Sequence, residues 1–527
     1  MPCRAWRFPT TYPPSRCGWR SLERVRARAP ALRAWDAGMS SLFRHASAYA
    51  VGTALVTLAS LVSFPILTRL LSVADYGLMN TVTLALALLV AVGKLGMQRA
   101  TVRFYHEGGE TSARLPSTQI LGMAAVGALA TLTWMCVVAL LPEHALGTPG
   151  LRYLLLLTAC LVLVRVLDSA FSNLLYAEGR SAFISTYGVV KRYLALVLVI
   201  GVLLASARNA EGFFLATIVA EVVALVWIGW VVAEDNPIRP TRFSRELFIR
   251  MIAYGVPMVG VEVAGSILAL GDRYVIQQLL GAEAVGVYSA SYNLCEYIRG
   301  STMAALSTAV APMYMRVWEQ EGRVATEQFL GRFARSYLAV SFLVAALVTT
   351  NAADLVTILA SERYVEGTTI VPWVIGGMAL DSYVAVAAAG LFLKKRTGAI
   401  FTYVAIAAAV NIALNYLLVP HFGIAGSAIA TLLSYAVLLA TAMVIGRSEL
   451  TVPFPARSLV VSAFAFGASC MLAARMTSGS PWFDLVLRTA IVIAIYGGIT
   501  LTLDAGVRDS VRELARMVRN RLWPDAV

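Results

Sequence analysis

The run EGFFLATIVAEVVALVWIGWVVA, residues 211–233, carries only Glu221 as a charge beyond its first residue. A helix rises about 1.5 Å per residue, so a run of this length crosses the ~30 Å hydrocarbon core of a bilayer. Outward from it in both directions, comparable apolar runs recur from Ala46 to Leu503. Their approximate limits are 46–67, 78–97, 118–141, 151–175, 183–205, 211–233, 247–270, 284–308, 334–352, 369–392, 398–419, 423–445, 457–476 and 482–503. These runs predict an all-α polytopic membrane protein with about 14 transmembrane helices. Several are separated by only a few residues, which forces antiparallel neighbours in a bundle.

Composition agrees with this reading. Of 527 residues, 59% are hydrophobic and 14% are charged, with a mean hydropathy of +0.73; a soluble domain carries about 25% charged residues. No loop exceeds roughly thirty residues, which leaves no room for a soluble catalytic domain. The formal net charge is +13, but nine of the 43 Lys and Arg precede residue 45 and five follow residue 505. Basic tails flanking apolar spans point to a membrane surface and not to nucleic acid. Six single cysteines and four scattered histidines form no C-x-x-C or clustered ligand pattern, so neither a disulfide framework, a metal nor a cofactor is expected. There is no G-x-x-x-x-G-K-[ST] phosphate loop for ATP hydrolysis.

Loop charge sets the orientation. With both termini on one side, the loops of that side carry eighteen Lys and Arg, from Lys94 to Arg457. The opposite loops carry seven: Arg69, Arg152, Arg208, Arg273, Arg363, Arg475 and Arg488. The positive-inside rule then places both termini in the cytoplasm and favours an even number of spans.

An internal repeat organises the spans. Residues 70–77 read LLSVADYG and residues 279–286 read LLGAEAVG; residues 212–217 read GFFLAT and residues 426–431 read GSAIAT. The offsets, 209 and 214, relate the first six spans to the next six in the same orientation. That is a parallel repeat about an axis along the membrane normal, giving two pseudo-symmetric six-helix lobes plus two extra C-terminal helices. The expected divisions are a basic leader at 1–45, a first lobe at 46–235, a second lobe at 236–446, the two extra spans at 447–505 and a tail at 506–527. The leader reads either as a disordered cytoplasmic segment or as a region upstream of a start at Met39. In the tail, Val507, Val511, Leu514 and Val518 fall on one helical face and Arg508, Arg512, Arg516 and Arg519 on another, the pattern of an interfacial helix.

Three stretches carry a resemblance. FPILTRLLSVADYGLMNTV (64–82), with the Arg103-Phe104 pair, resembles the opening helices of Wzx-type polysaccharide flippases. GDRYVIQQLLGAEAVGVYSASYN (271–293) is similar to the second-half signature of that family, and NYLLVPHFGIAGSAIAT (415–431) to its Pro-x-x-Gly-x-x-Gly turn. The family is the polysaccharide-transport branch of the multidrug/oligosaccharidyl-lipid/polysaccharide exporter superfamily. The resemblance runs from about residue 41 to residue 446. It implies two lobes around a central cavity, the bacterial inner membrane, and flipping of an undecaprenyl-pyrophosphate-linked oligosaccharide. Polysaccharide polymerase and export machinery are the partners it implies. The long Arg-rich leader departs from the family pattern.

Charges within spans give a separate argument. A charge at the bilayer centre costs ~2.5–3.5 kcal/mol even on the lenient insertion scale, so it faces a cavity or a partner. The cationic candidates for a substrate cavity are Arg165, Lys191, Arg192, Arg273 and Arg299. The acidic ones, for charge balance or a coupling ion, are Asp168, Glu221, Glu262, Glu296 and Asp381. Arg165/Asp168 and Glu296/Arg299 are i,i+3 pairs, which either neutralise each other locally or line one face of a site. Tyr288 and Tyr292 extend the Glu296/Arg299 face. Lys191 and Arg192 either snorkel to the interface or form a basic rim for pyrophosphate. Arg273 sits beside Asp272 at the outer end of span seven, as a local ion pair or a site residue. Gly52, Pro65, Gly255, Pro257 and Gly265 in spans one and seven are candidate gating positions or tolerated bends. A cation-coupled multidrug exporter of the same superfamily is the alternative transporter. A membrane-embedded glycan polymerase or ligase is the alternative enzyme, and no long outer loop suited to it is present.

Overall fold

The computed structural model describes residues 52–142, 150–206, 208–476 and 480–522. The basic leader, 1–45, and Met39 lie outside the described residues. Among the described residues the regular structure is helical throughout. The first half contains Gly52–Leu70 (α1), Val73–Gly93 (α2), Met97–Tyr105 (α3), Gly109–Leu140 (α4), Leu151–Leu157 (α5), Cys160–Ala177 (α6), Ser181–Ala205 (α7) and Ala210–Asp235 (α8). The second contains Arg245–Leu280 (α9), Ala282–Ser301 (α10), Met303–Thr350 (α11), Ala352–Leu359 (α12), Val371–Ala387 (α13), Ala389–Leu393 (α14) and Thr397–Gly446 (α15). Ala456–Ala473 (α16), Pro481–Leu503 (α17) and Ala505–Leu522 (α18) follow.

Local chemistry sets the starts. Ser72, Asn209 and Ser244 each accept a backbone N–H of the following turn, capping α2, α8 and α9. Inside the spans, hydroxyls of Thr68, Thr101 and Thr158 donate to carbonyls one turn back, so buried polar groups are satisfied within their own helix.

Among the described residues, eleven helices are long and apolar enough to cross a membrane, or twelve when the bent α9 is counted. The fourteen expected spans therefore do not correspond to fourteen continuous helices. The reason is that α11 and α15 are 48 and 50 residues long, and each is two helices meeting at a kink. The kinks are at Gly322, φ 81° and ψ −164°, and at Gly423, φ 58° and ψ −141°. Positive φ is costly for a side-chain-bearing residue, so glycine is what lets the chain turn there. At the second kink, Gly426 sits so close that a Cβ on it would lie 2.4 Å from the Leu418 carbonyl oxygen. This is the Pro420-Gly423-Gly426 turn noted in the sequence.

The two halves pack alike. In the first, α4 packs on α6, and α6 and α7 pack on α8. In the second, α11 packs on α13, and α13 packs on α15. The junction between halves lies inside α9. Leu247 and Met251, with Phe248 and Ile252 beside them, join a core with Met97, Phe104 and Leu174 of the first half. Ala264 and Leu268 join a core with Tyr403 and Tyr435 of the second. Between those segments the helix bends by 43°, between Val256 and Met258. The extra helices α16 and α17 pack on α11 through Ala346, Ala465, Val492 and Tyr496.

Arg488 of α17 pairs with Asp354 of α12 at 2.7 Å, with side chains 12% and 13% exposed. Removing one partner of a buried pair strands the other charge. Arg488 also lies 3.9 Å from the buried Asp484, so Arg488→Leu strands two acids and is expected to lower stability by about 3 kcal/mol, measured as a melting shift in detergent; Asp354→Leu is expected to restore part of it, and Asp354→Leu with Asp484→Asn most of it. The tail helix α18 starts where the Asp504 carboxylate accepts the N–H groups of Gly506 and Val507. Ser510 then meets Ser336 of α11 at 3.3 Å.

Candidate functional site

A cavity of about 410 Å³ lies within the second half, between α9, α10, α13 and α15. Its wall carries Arg273, Tyr292, Asn293, Glu296, Arg299, Asp381 and Tyr435. Arg299 is held from two sides: its Nε and Nη2 donate to Glu296 at 2.9 and 2.6 Å, and its Nη1 donates to Asp381 at 2.9 Å. The i,i+3 pair of α10 is thus formed, and α13 contributes a second acid that sequence spacing could not assign. Gly265 lines the same cavity, and a Cβ there would meet no atom within 4 Å.

Arg273 does not lie in an outer loop, as the apolar run ending at 270 suggested. α9 continues to Leu280 and keeps Arg273 in its wall, 2% exposed. The helix continues because the charge is covered. Arg273 pairs with Asp272 at 3.0 Å, and its guanidinium stands 4.3 Å from the centre of the Tyr292 ring. Tyr288 donates to the other Asp272 oxygen at 2.6 Å. Two guanidiniums and two carboxylates therefore face the cavity, with Asp272 behind, so every positive charge there already has a carboxylate partner.

A second cavity, of about 560 Å³, adjoins it and shares Val261 and Val404 as wall residues. It lies between the halves, lined by Gln98 and Arg99 on one side and Glu262, Lys395 and Tyr403 on the other. Glu262 pairs with Lys94 at 3.7 Å and accepts from Gln98 at 3.4 Å, both from the first half. This cavity is at the face bearing the Lys94, Arg99, Lys394 and Lys395 loops, called here the basic face.

The charges of the first half have other partners. Arg165 and Asp168, four residues apart counting both ends, do not pair with each other. Arg165 of α6 makes a two-pronged bond to Glu221 of α8, at 2.8 and 3.0 Å. Asp168 pairs with Lys191 of α7 at 3.0 Å and accepts the Tyr187 hydroxyl. Arg192, next to Lys191, points to a different helix and donates to Ser60 of α1 at 3.0 Å. These three cations are placed on the first half, apart from the walls of the two cavities. Arg273 and Arg299 are brought together.

The halves meet at two levels. At the basic face, a Cβ on Gly255 would lie 2.3 Å from the Leu95 carbonyl oxygen, and one on Gly96 would lie 2.1 Å from the Gly255 carbonyl oxygen. At the opposite face, a Cβ on Gly77 would lie 1.9 Å from the Ala282 oxygen, and one on Gly286 would lie 2.0 Å from the Val73 oxygen. Val73 and Gly77 correspond to Ala282 and Gly286 under the 209-residue offset. Each copy of the repeated octapeptide thus presses its glycine on the other's backbone, as a two-fold axis requires. Nearby, Arg69 donates to the Ile358 carbonyl at 2.6 Å and Arg363 to the Thr68 carbonyl at 3.0 Å, so each arginine caps a helix end of the other half. The sequence displayed both glycines but not their mutual contact.

Of the gating candidates, Gly52 packs against Ser185 of α7, whose hydroxyl oxygen would be 1.9 Å from a Cβ there. Pro65 lies within the continuous α1, where Arg69 donates to its carbonyl at 3.2 Å. Pro257 is the residue at which α9 bends, and Gly255 lies two residues before it.

Two halves related by pseudo-symmetry, ionisable groups within apolar helices and cavities between and within the halves define a polytopic membrane protein built as two packed lobes. Residues 42–318 match the family described as polysaccharide biosynthesis protein, and the chain belongs to that family. The succinoglycan biosynthesis transport protein ExoT of Rhizobium meliloti (strain 1021) is 25% identical over 266 residues, which are 50% of this chain and 51% of that protein. The chain thus matches about half the length of this curated relative. Among solved structures, the lipid II flippase MurJ in an inward closed conformation superimposes with a TM-score of 0.72 at 13% identity, covering 88% of this chain and 99% of that one. An inward-facing multidrug-resistance MATE transporter gives a TM-score of 0.59 at 16% identity, covering 75% and 94%. At these identities the two structures bear on the fold alone.

Proposed function

We propose that the protein is a flippase. It moves an undecaprenyl-pyrophosphate-linked oligosaccharide from the cytoplasmic to the outer face of the bacterial inner membrane, by alternating access, for surface polysaccharide biosynthesis. The observation that carries this reading is the Arg299 guanidinium held by Glu296 and Asp381 in a cavity at membrane depth. A diphosphate offers the same planar pairs of oxygens as those carboxylates and competes for the same fork. Membership of the polysaccharide biosynthesis family supports it. On this reading the basic face is cytoplasmic, with both termini and α18 on that side. The 560 Å³ cavity is the substrate's entry. The contacts at the opposite face, around Gly77 and Gly286, form the closed outer gate. Polymerase and export machinery act on the delivered glycan.

Arg165, Lys191 and Arg192 supply positive potential from the first lobe as the lobes rearrange. Gly52, Pro65, Gly255 and Pro257 are the positions at which α1 and α9 change curvature. The energetics need no ATP. Outward movement of each negative charge gains roughly 2.3 kcal/mol per 100 mV in a membrane negative inside. The acids Asp168, Glu221, Glu262, Glu296 and Asp381 balance charge or bind a coupling cation on the return.

The test is reconstitution in liposomes with a potassium-diffusion potential and no other gradient. The expected result is flipping of a lipid-linked oligosaccharide that grows with the potential and reverses with its sign. Flipping indifferent to the potential would remove the electrical argument. Efflux of organic cations in place of lipid-linked glycan would select the multidrug reading instead.

A further inference from the structure

A third cavity, of about 480 Å³, lies between the halves on the other side of α9 from the polar site. Its walls are almost wholly hydrocarbon: Leu84, Ala85 and Leu88 of α2, Trp134 of α4, and Ile267 and Ile412 of the second half. On α9, Ile267, Gly271, Tyr274 and Gln278 face it at spacings of four, three and four, one helical stripe. Leu268, Ala269 and Arg273 face the polar cavity. The helix separates the two.

The cavity opens at the end of α9 away from the basic face. Its mouth holds Tyr274, 50% exposed, and Gln278, which accepts the Tyr416 hydroxyl at 2.6 Å. Leu141 and Leu151, at the ends of α4 and α5, reach the same level. Amphipathic rings gather where headgroups begin. From Gln278 to Ile267 the stripe covers eleven residue steps, roughly 16 Å along the helix. At the level of the mouth the Thr81–Gln277 hydrogen bond of 3.2 Å joins α2 to α9.

We propose that this cavity binds an acyl chain of a membrane glycerophospholipid from the leaflet away from the basic face, with its headgroup at the Tyr274, Gln278 and Tyr416 rim. An apolar slot with a wet aromatic mouth matches an amphiphile whose apolar part is long and thin. The wall of α9 argues against the tail of a carried lipid, whose head would have to reach the polar cavity from the helix's other side. Because α2 and α9 belong to different halves, the bound chain bridges them at this face.

The experiment uses the full chain in nanodiscs containing a phosphatidylglycerol with a photoreactive acyl chain. Mass spectrometry reads the labelled peptides. Labelling is expected to concentrate on residues 81–89 and 267–278. Ala85→Trp, which fills the cavity, is expected to reduce that labelling by about tenfold, the worth of a few lost methylene contacts. Val226→Trp, at a 66% exposed position of α8, is expected to leave it unchanged. Ala85→Phe is a smaller filling change for use if the tryptophan variant does not insert. Uniform labelling of all lipid-facing helices, or insensitivity to both filling variants, would overturn the proposal. Displacement of the label by undecaprenyl phosphate would overturn the phospholipid assignment in favour of an isoprenoid chain.

Discussion

Replacing Arg299 by Glu is expected to reduce export by about a hundredfold or more while leaving membrane insertion intact, a loss of ~2.7 kcal/mol at ~1.36 kcal/mol per tenfold. The reason is local. Arg299 is the only cation within bonding reach of Glu296 and Asp381 among the described contacts. Reversing its charge leaves three carboxylates at one point of a cavity where an anionic substrate is to bind. Repulsion there acts at membrane depth, where water screens weakly. Arg299→Lys keeps the charge and loses the fork that satisfies two acids at once, so an intermediate loss of about tenfold is expected. Glu296→Gln with Asp381→Asn works in the opposite direction. It frees the guanidinium, and binding of the lipid-linked substrate is expected to tighten while turnover slows, because the carboxylates no longer displace the product. Export is measured by the fraction of lipid-linked glycan accessible at the outer face. Full export by Arg299→Glu would place the substrate site elsewhere.

The fold was largely legible because its signals are periodic and local. Apolar runs, loop charge and two repeated motifs specify span positions and pseudo-symmetry without long-range information. The errors have the same physical origin. Hydropathy ended span seven near residue 270 because Asp272 and Arg273 are charged. Paired with each other, and covered by Tyr288 and Tyr292, they continue the helix to Leu280. Spacing of three placed Arg165 and Asp168 on one face, but their partners come from α8 and α7. A helical face says which residues point together, not which helix arrives opposite them. Glu296 and Arg299 were legible as a pair because both are on α10; Asp381 was visible as an intramembrane acid but not as the third member. The continuous helices number fewer than the fourteen apolar runs for a related reason. At Gly322 and Gly423 the chain turns without leaving a helical hydrogen-bond pattern long enough to mark a break.

The glycine pair at the opposite face yields an effect whose sign distinguishes packing from propensity. In an exposed helix interior, Gly→Ala stabilises by roughly 1 kcal/mol. Gly77 and Gly286 are the fifth residues of α2 and α10, and a Cβ on either would come within about 2 Å of a carbonyl oxygen of the other half. Backbone on both sides leaves no flexible side chain to yield, so the halves must separate. Gly77→Ala and Gly286→Ala are therefore each expected to disfavour this closed arrangement, although both improve helix propensity. A larger residue, Gly77→Val, is expected to abolish closure and with it about a hundredfold of the export rate, since alternating access requires both states to be populated. Closure is read directly with a cysteine at Ala269, which lines the polar cavity, in a background lacking the native cysteines. A membrane-impermeant maleimide added from the face opposite the basic loops is expected to react slowly in the parent and at least about tenfold faster in each glycine variant. Reciprocity adds a stricter requirement. Gly77 and Gly286 are equivalent under the repeat, so their alanine variants are expected to raise reactivity alike. A strong effect from one glycine and none from the other would mean that the repeat does not operate as a symmetric gate.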